Sequence, residues 1–321
     1  MALSEVVGQE LAVRFLRSVL ARRRLTQGYL FLGPVGVGKR FVARQFAEAI
    51  VCGIGESGDA CGGCQACRLV ASGNHPDLLM AEADGGSGIK IDQVRAILKA
   101  FGMKPMMGGR RVALIVNADT LTEDAANAVL KTLEEPPDGS TLVLTGSSTD
   151  RLLPTIVSRC QIVRVVPVEP EVVGDLLIQR HGVERSTARL VAQGADGRIG
   201  RAVEMASGGW MAKRERVVNA LLREPPDLLG VLTTDDRERL TEELEVLAHW
   251  YRDLWQLQWR GESAPLVHGD RRSTLRTLAG RMSSQSVARS LEAVDRAYQA
   301  VRQRANVKLV LQVLALELGQ R

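Results

Sequence analysis

Along the first half of the chain, apolar residues recur at two spacings. Ala12, Phe15, Leu16 and Val19 share one helical face, and Phe41, Val42, Phe46 and Ile50 do so again after a glycine-rich interval. Around them stand short apolar runs, YLFLG (29–33), RVALIV (111–116), STLVLTG (140–146) and CQIVRVV (160–166), which read as buried strands. Leu121, Ala125, Val129, Leu130 and Leu133 predict a further helix. Glu123 and Asp124 lie in its first turn, and Pro136 and Pro137 stop it. Buried strands separated by helices predict an α/β domain built on a parallel sheet.

Beyond Pro167 the strand signal disappears. Residues 168–207 read as short helices punctuated at Gly182, Gly194 and Gly197, and SGGW (207–210) reads as a hinge. Three helical faces follow: Leu244, Leu247, Tyr251 and Leu254; then Val287, Leu291, Val294, Tyr298 and Val301; then Leu309, Val313 and Leu316. The expected organisation is an α/β domain over 1–166, a small helical domain over 167–208 and an all-α domain over 209–321.

Composition narrows the class. A length of 321 residues suits two or three domains, and 45% apolar with 25% charged residues is the balance of a soluble globular protein. No apolar run approaches the roughly 20 residues that span a bilayer, and MALSEVVGQELAV lacks the basic-then-apolar pattern of a signal peptide. A cytoplasmic location is the expectation. The net charge of +5 is a mild basic bias, compatible with phosphate-rich partners and equally with a mixed-charge surface.

Four of the five cysteines, Cys52, Cys61, Cys64 and Cys67, fall within sixteen positions, the last three as CGGCQAC. Four thiolates satisfy the tetrahedral preference of zinc, and Gly53, Gly55, Gly58, Gly62 and Gly63 provide tight turns between them. A four-cysteine set leaves no open coordination position, so the expected metal is structural Zn²⁺. Disulfides are the weaker rival in a reducing compartment. Cys160 stands apart and reads as an ordinary cysteine.

GPVGVGKR (33–40) fits the phosphate-binding loop G-x-x-x-x-G-K-[ST] at Gly33, Gly38 and Lys39, but Arg40 stands where a hydroxyl would hold magnesium. Gly33, Gly36, Gly38 and Lys39 retain the means to bind the phosphates of ATP or ADP through backbone N–H groups. The alternative is that the loop persists as packing between strand and helix. Both readings stand at this point.

The ordered set VGQELAVRFL (7–16), GYLFLGPVGVGKR (28–40), the cysteine module, NHPDL (74–78), IKIDQVRAI (89–97), GGRRVALIVNADTLTEDAANAVLKTLEEPP (108–137) and RLLPTIVSRCQ (151–161) resembles the clamp-loader AAA+ family of bacterial DNA polymerase III. The likeness is specific over about residues 5–165. It continues more loosely through ALLREPP (220–226), LAHWYRDLW (247–255) and RANVKLVLQVL (304–314). It implies an α/β AAA+ P-loop domain with a zinc-binding insertion, a small helical lid domain and an all-α C-terminal collar that assembles subunits.

The departures from that family point to a subunit that does not hydrolyse ATP. Val116-Asn117 stands where ATPase relatives carry an acidic pair, and Gly200, in GRIG (197–200), stands where they carry an arginine, with Arg201 one residue later. The resemblance keeps Arg159, in SRC (158–160), as an arginine finger reaching a neighbour's ATP site, where a guanidinium stabilises transition-state charge. The implied partners are gamma/tau and delta subunits, the sliding clamp and primer–template DNA. Two other readings are an active gamma/tau-type ATPase and a zinc-dependent nucleic-acid-binding module. Plainer roles suit other residues: His75 as a structural hydrogen-bonder rather than a fifth metal ligand, and Trp250, Tyr251 and Trp255 as bundle core rather than a base-stacking platform. Glu134 and Glu135 resemble the family's LEEP segment, and at a helix end before two prolines they also read as solvated charge. Arg110 and Arg111 read equally as DNA-phosphate contacts and as a basic turn before a strand.

Overall fold

The structure is a computed structural model that describes residues 2–53, 58–82, 89–107, 109–223, 232 and 236–319. Gly55, Gly108 and Glu224, Pro225 and Pro226 of ALLREPP lie outside the described residues. The chain forms two compact units, Met1–Val172 with Arg198–Gly200, and Val173–Gly197 with Arg201–Arg321.

The first unit is a five-stranded parallel sheet of β1 (Gly28–Leu32), β2 (Leu78–Ala81), β3 (Arg111–Ile115), β4 (Ser140–Gly146) and β5 (Gln161–Arg164), in the order β2-β3-β4-β1-β5. Alternation along each strand sends side chains to opposite faces. Tyr29, Phe31, Val112, Leu114 and Val143 meet α1 (Glu10–Ala21) and α2 (Lys39–Cys52) on one face. Leu30, Leu32, Ala113, Ile115, Leu142 and Leu144 meet α4 (Ile91–Phe101), α5 (Glu123–Glu134) and α6 (Pro154–Val157) on the other. A short α3 (Gln65–Ala71) follows the cysteine turns.

Four strands coincide with the apolar runs, whereas β2 was not evident. Its sequence LLMA lacks β-branched residues, and as an edge strand it is only partly buried, with Met80 exposed. What fixes it is the ion pair just ahead of it. Arg111 donates from Nε and Nη2 to Asp77 Oδ1 at 3.0 and 2.8 Å, and from Nη1 to the Ala100 carbonyl at 2.5 Å. Asp77 also accepts the Met106 and Met107 amides at 2.8 and 2.9 Å. Burial alone would raise the Asp77 pKa, but these donors hold it below the usual carboxylate value. Arg111 is therefore a buried structural cation, which removes it as a DNA contact. Arg110 binds Thr141 Oγ1 and the Ser140 carbonyl at 3.3 and 2.8 Å, tying the turn to the start of β4.

The second unit is helical: α7 (Pro170–His181), whose first turn belongs to the other unit, α8 (Arg185–Gly194), α9 (Ile199–Ser207), whose first two residues also belong to the other unit, α10 (Trp210–Leu221), α11 (Arg237–Arg260), α12 (Arg272–Arg281), α13 (Ser284–Arg302) and α14 (Val307–Gly319). Leu244, Leu247, Tyr251 and Leu254 of α11 and Val287, Val294 and Val301 of α13 are buried as their spacing predicts. The last helix differs. It buries Leu311, Leu314 and Leu318, while Leu309, Val313 and Leu316 remain 60%, 47% and 67% exposed. Because α14 is apolar on two faces, periodicity could not say which face meets the bundle. Trp250 and Tyr251 are core, but Trp255 is only half-buried and lies 5.7 Å, centroid to centroid, from exposed Trp259. No helix among the described residues is long and apolar enough to cross a membrane.

Replacing Asp77 by Asn leaves the Arg111 charge buried without its counter-ion. The sheet unit is expected to lose about 3–5 kcal/mol, read as a lower denaturant midpoint. An unchanged midpoint would show that this pair does not anchor β2 and β3.

Candidate functional site

Three groups of sequence-predicted residues lie in the sheet unit. At the carboxyl end of β1 the chain turns through Gly36 and Gly38, whose φ angles of 79° and 103° suit glycine, and enters α2. Lys39 is 6% exposed and folds back on its own loop, donating from Nζ to the Gly33 and Pro34 carbonyls at 2.7 and 2.8 Å. Burial lowers its pKa, partly offset by the nearby Asp119 charge. Asp119 in turn accepts the Ser147 amide at 3.1 Å and the Ser147 hydroxyl.

Arg40 turns toward the end of β2, where Nη2 pairs with Glu82 Oε2 at 2.7 Å. Val116 is buried and extends the sheet by donating its backbone N–H to the Ala81 carbonyl at 2.8 Å. Asn117 takes a left-handed φ of 57° and donates its amide to Thr145 Oγ1 at 2.9 Å. Gly200 lies against the loop: a Cβ there would sit 2.9 Å from the Gly36 carbonyl oxygen, too close without a backbone shift. The following Arg201 pairs with Glu245 of the helical unit. Sequence reasoning missed Glu82, which lies outside every motif, and gave no role to Asp119 within the family-like run 108–137; only the fold brings them to the loop.

The second group is the cysteine cluster. Cys52 ends α2, the left-handed Gly53 caps that helix, and Cys64 is the N-cap of α3. The four sulfurs lie within 4.8 Å of one another, with Cys52–Cys64 and Cys61–Cys67 separations of 3.9 Å. Four ligands about 2.3 Å from a tetrahedral zinc would stand about 3.8 Å apart. The thiols are free of disulfides, and the Cys61 and Cys67 amides donate to Cys52 Sγ and Cys64 Sγ at 3.3 and 3.4 Å. Backbone donors from Gly63 and Cys64 lower the Cys61 pKa to about 6, whereas burial raises that of Cys67 to about 12. The cluster is compatible with structural zinc.

Asp59 docks this module onto the unit by accepting the Leu3, Ser4 and Ala60 amides at 2.6, 3.0 and 2.8 Å and Arg17 Nη2 at 3.0 Å. His75 is not a fifth ligand. It is buried, and its Nδ1 accepts the Asp77 amide at 3.1 Å. Burial lowers its pKa, keeping the ring neutral for that role.

The third group surrounds Arg159, between α6 and β5. Its side chain is 39% exposed, and Nη2 pairs with Glu134 Oε1 at 3.0 Å. Nη1 donates to the Thr155 carbonyl at 3.1 Å and to Ser158 Oγ at 3.4 Å. Glu134 therefore has a specific partner. Cys160 beside it is largely buried, which raises its pKa to about 12.

Comparison with known proteins agrees over both units. Residues 8–169 match the family described as DNA polymerase III, delta subunit, and residues 209–320 match its C-terminal family. The DNA polymerase III subunit delta' of Bacillus subtilis is 31% identical over 97% of this chain and 96% of its own length. The tau/gamma subunit of Haemophilus influenzae is 39% identical over 49% of this chain and 22% of its own. Among solved structures, a gamma subunit-related protein from Thermotoga maritima aligns over 95% of this chain and 99% of its own, with a TM-score of 0.50 and 20% identity. The fold is thus the expected α/β AAA+-like domain with a four-cysteine cluster, followed by a helical C-terminal region.

Proposed function

Because the chain belongs to the delta-prime family of DNA polymerase III clamp-loader subunits, relatives of gamma and tau, we propose that it is a non-hydrolysing ring member that presents Arg159 to a neighbour's ATP. The carrying observation is that the guanidinium stands at the surface on the rim between α6 and β5. Phosphoryl transfer places negative charge on the γ-phosphate oxygens, and a planar guanidinium supplied from another subunit stabilises it there.

Its own loop supports the non-hydrolysing role. Lys39 is already bonded to the Gly33 and Pro34 carbonyls, Arg40 to Glu82, and Gly200 leaves no room for an arginine beside Gly36. These contacts favour the packing reading of Gly33, Gly36, Gly38 and Lys39 over residual ATP or ADP binding. They also weigh against the active gamma/tau-type alternative.

Cys52, Cys61, Cys64 and Cys67 would hold one structural Zn²⁺, which joins the end of α2 to the start of α3. The three-part division at 166 and 208, with a lid and then a collar, is part of the same proposal. The exposed stripe of Leu309, Val313 and Leu316 supports assembly through the terminal helix. The proposed partners are gamma/tau and delta subunits, with the sliding clamp and primer–template DNA bound by the assembled ring, in the cytoplasm.

Metal analysis of the purified chain is expected to find about one zinc per molecule. Cys64→Ala should lower both zinc content and thermal midpoint. Full stability without metal would remove the structural-zinc assignment and with it the zinc-module alternative.

In a loader reconstituted with gamma/tau and delta, Arg159→Ala should leave assembly intact while reducing clamp- and DNA-stimulated ATP turnover. Fingers elsewhere contribute about 10³–10⁵ in rate, but only one site in the ring would lose its arginine. The loss in total turnover should therefore be partial, and that in clamp loading larger. Arg159→Lys should rescue poorly, since a point charge does not reproduce the planar fork. Unchanged turnover and loading in an assembled ring would contradict the finger role.

A further inference from the structure

We propose that Glu134 is a positioning residue for Arg159, fixing the orientation of its guanidinium before a neighbouring subunit presents phosphate. The inference rests on the finger reading of Arg159 and adds a residue to it. Its first support is geometric. The two terminal nitrogens of Arg159 are held from different elements: Nη2 by Glu134 Oε1 at 3.0 Å, the last residue of α5, and Nη1 by the Thr155 carbonyl at 3.1 Å, within α6. Restraining both nitrogens restrains the plane of the fork as well as its location.

The second support is the placement of the carboxylate. The C-terminus of a helix carries partial negative charge and favours cations. Glu134 ends α5 and Glu135 caps it, with Lys131 the basic residue of the last turn. Two consecutive acids there run against the local preference, and for Glu134 the nearby guanidinium relieves the conflict. Glu134 is also a firm platform. Leu133 before it and Ile156, three residues before Arg159, are both buried in one apolar cluster, and Pro136-Pro137 ends the helix beyond it.

The third support is the exposure of the pair. Glu134 and Arg159 are 44% and 39% exposed, and ion pairs this open contribute little to folding. A pair that matters little for stability can still restrict a long side chain that would otherwise sample many rotamers. It can also exchange its carboxylate for a more highly charged phosphate, because neither partner is sealed from solvent. Glu134 acts through Arg159 and touches no nucleotide itself.

The test uses the complete loader, reconstituted from this chain with its gamma/tau and delta partners, clamp and primer–template DNA. Four forms of the chain are compared with the unaltered one: Glu134→Gln, Glu134→Asp, Arg159→Ala and the Glu134→Gln/Arg159→Ala double variant. Glu134→Gln keeps the length and an acceptor but removes the charge. It should lower stimulated turnover about two- to fivefold at the dependent site, in kcat more than in KM for ATP, with assembly and thermal midpoint unchanged. Glu134→Asp should restore part of the loss. The double variant should be no slower than Arg159→Ala alone, because the two residues act in series.

If Arg159→Ala slows the ring but Glu134→Gln does not, the positioning role is wrong while the finger stands. If the two losses multiply, Glu134 acts independently of Arg159 and the proposal is overturned. If Arg159→Ala itself has no effect, the finger reading falls and takes this inference with it.

Discussion

The pairing of β1 with β4 on one side and β5 on the other, with α2 buried beneath, constrains every site in the sheet unit. Strand β1 is buried along its full length, and its register sets Tyr29 opposite Gln161, two residues beyond Arg159. Gly28 has no space for a side chain, since a Cβ there would press on Leu133, Cys160 and the Arg159 carbonyl. The carboxyl end of the same strand feeds the glycine turn, and α2 then carries the chain from Lys39 to Cys52. One strand and one helix thus locate the glycine loop, the first cysteine of the cluster and Arg159.

Around that frame, three cations are met by the protein's own oxygens, each in a different way. Arg111 is sealed with Asp77, where loss of one partner leaves a buried charge and costs about 3–5 kcal/mol. Lys39 donates to two carbonyls of its own loop, with the Asp119 charge nearby. Arg159 has an acidic partner too, but in the open, where pairing contributes only about 0–1 kcal/mol. The first two contacts preserve the architecture. The third is weak enough to be exchanged, which the finger role proposed for Arg159 requires.

Much of this was legible in the sequence where the signal was local. The apolar runs gave four strands because residues such as Tyr29, Leu114 and Val143 must be buried on both sheet faces. The cysteine spacing gave the cluster because four thiols so close in sequence can hardly avoid one another. What escaped depended on contacts between distant segments. Strand β2 has weak β propensity and owes its place to Asp77 and Arg111, thirty-four residues apart. Glu82 lies outside every motif, and although Asp119 and Glu134 fall within the family-like run 108–137, only chain folding sets the three acids beside Arg40, Lys39 and Arg159. The terminal helix offered two apolar faces, and only packing shows that Leu309, Val313 and Leu316 are the ones left outside.

The most direct measurement of the central claim is a structure of the assembled loader, containing this chain, with a non-hydrolysable ATP analogue and magnesium. In that ring the Arg159 guanidinium is expected within hydrogen-bonding distance of the γ-phosphate held by the adjacent subunit, with no nucleotide in the Gly33–Lys39 loop. A ring in which Arg159 faces solvent, away from any neighbour's nucleotide, would contradict that claim.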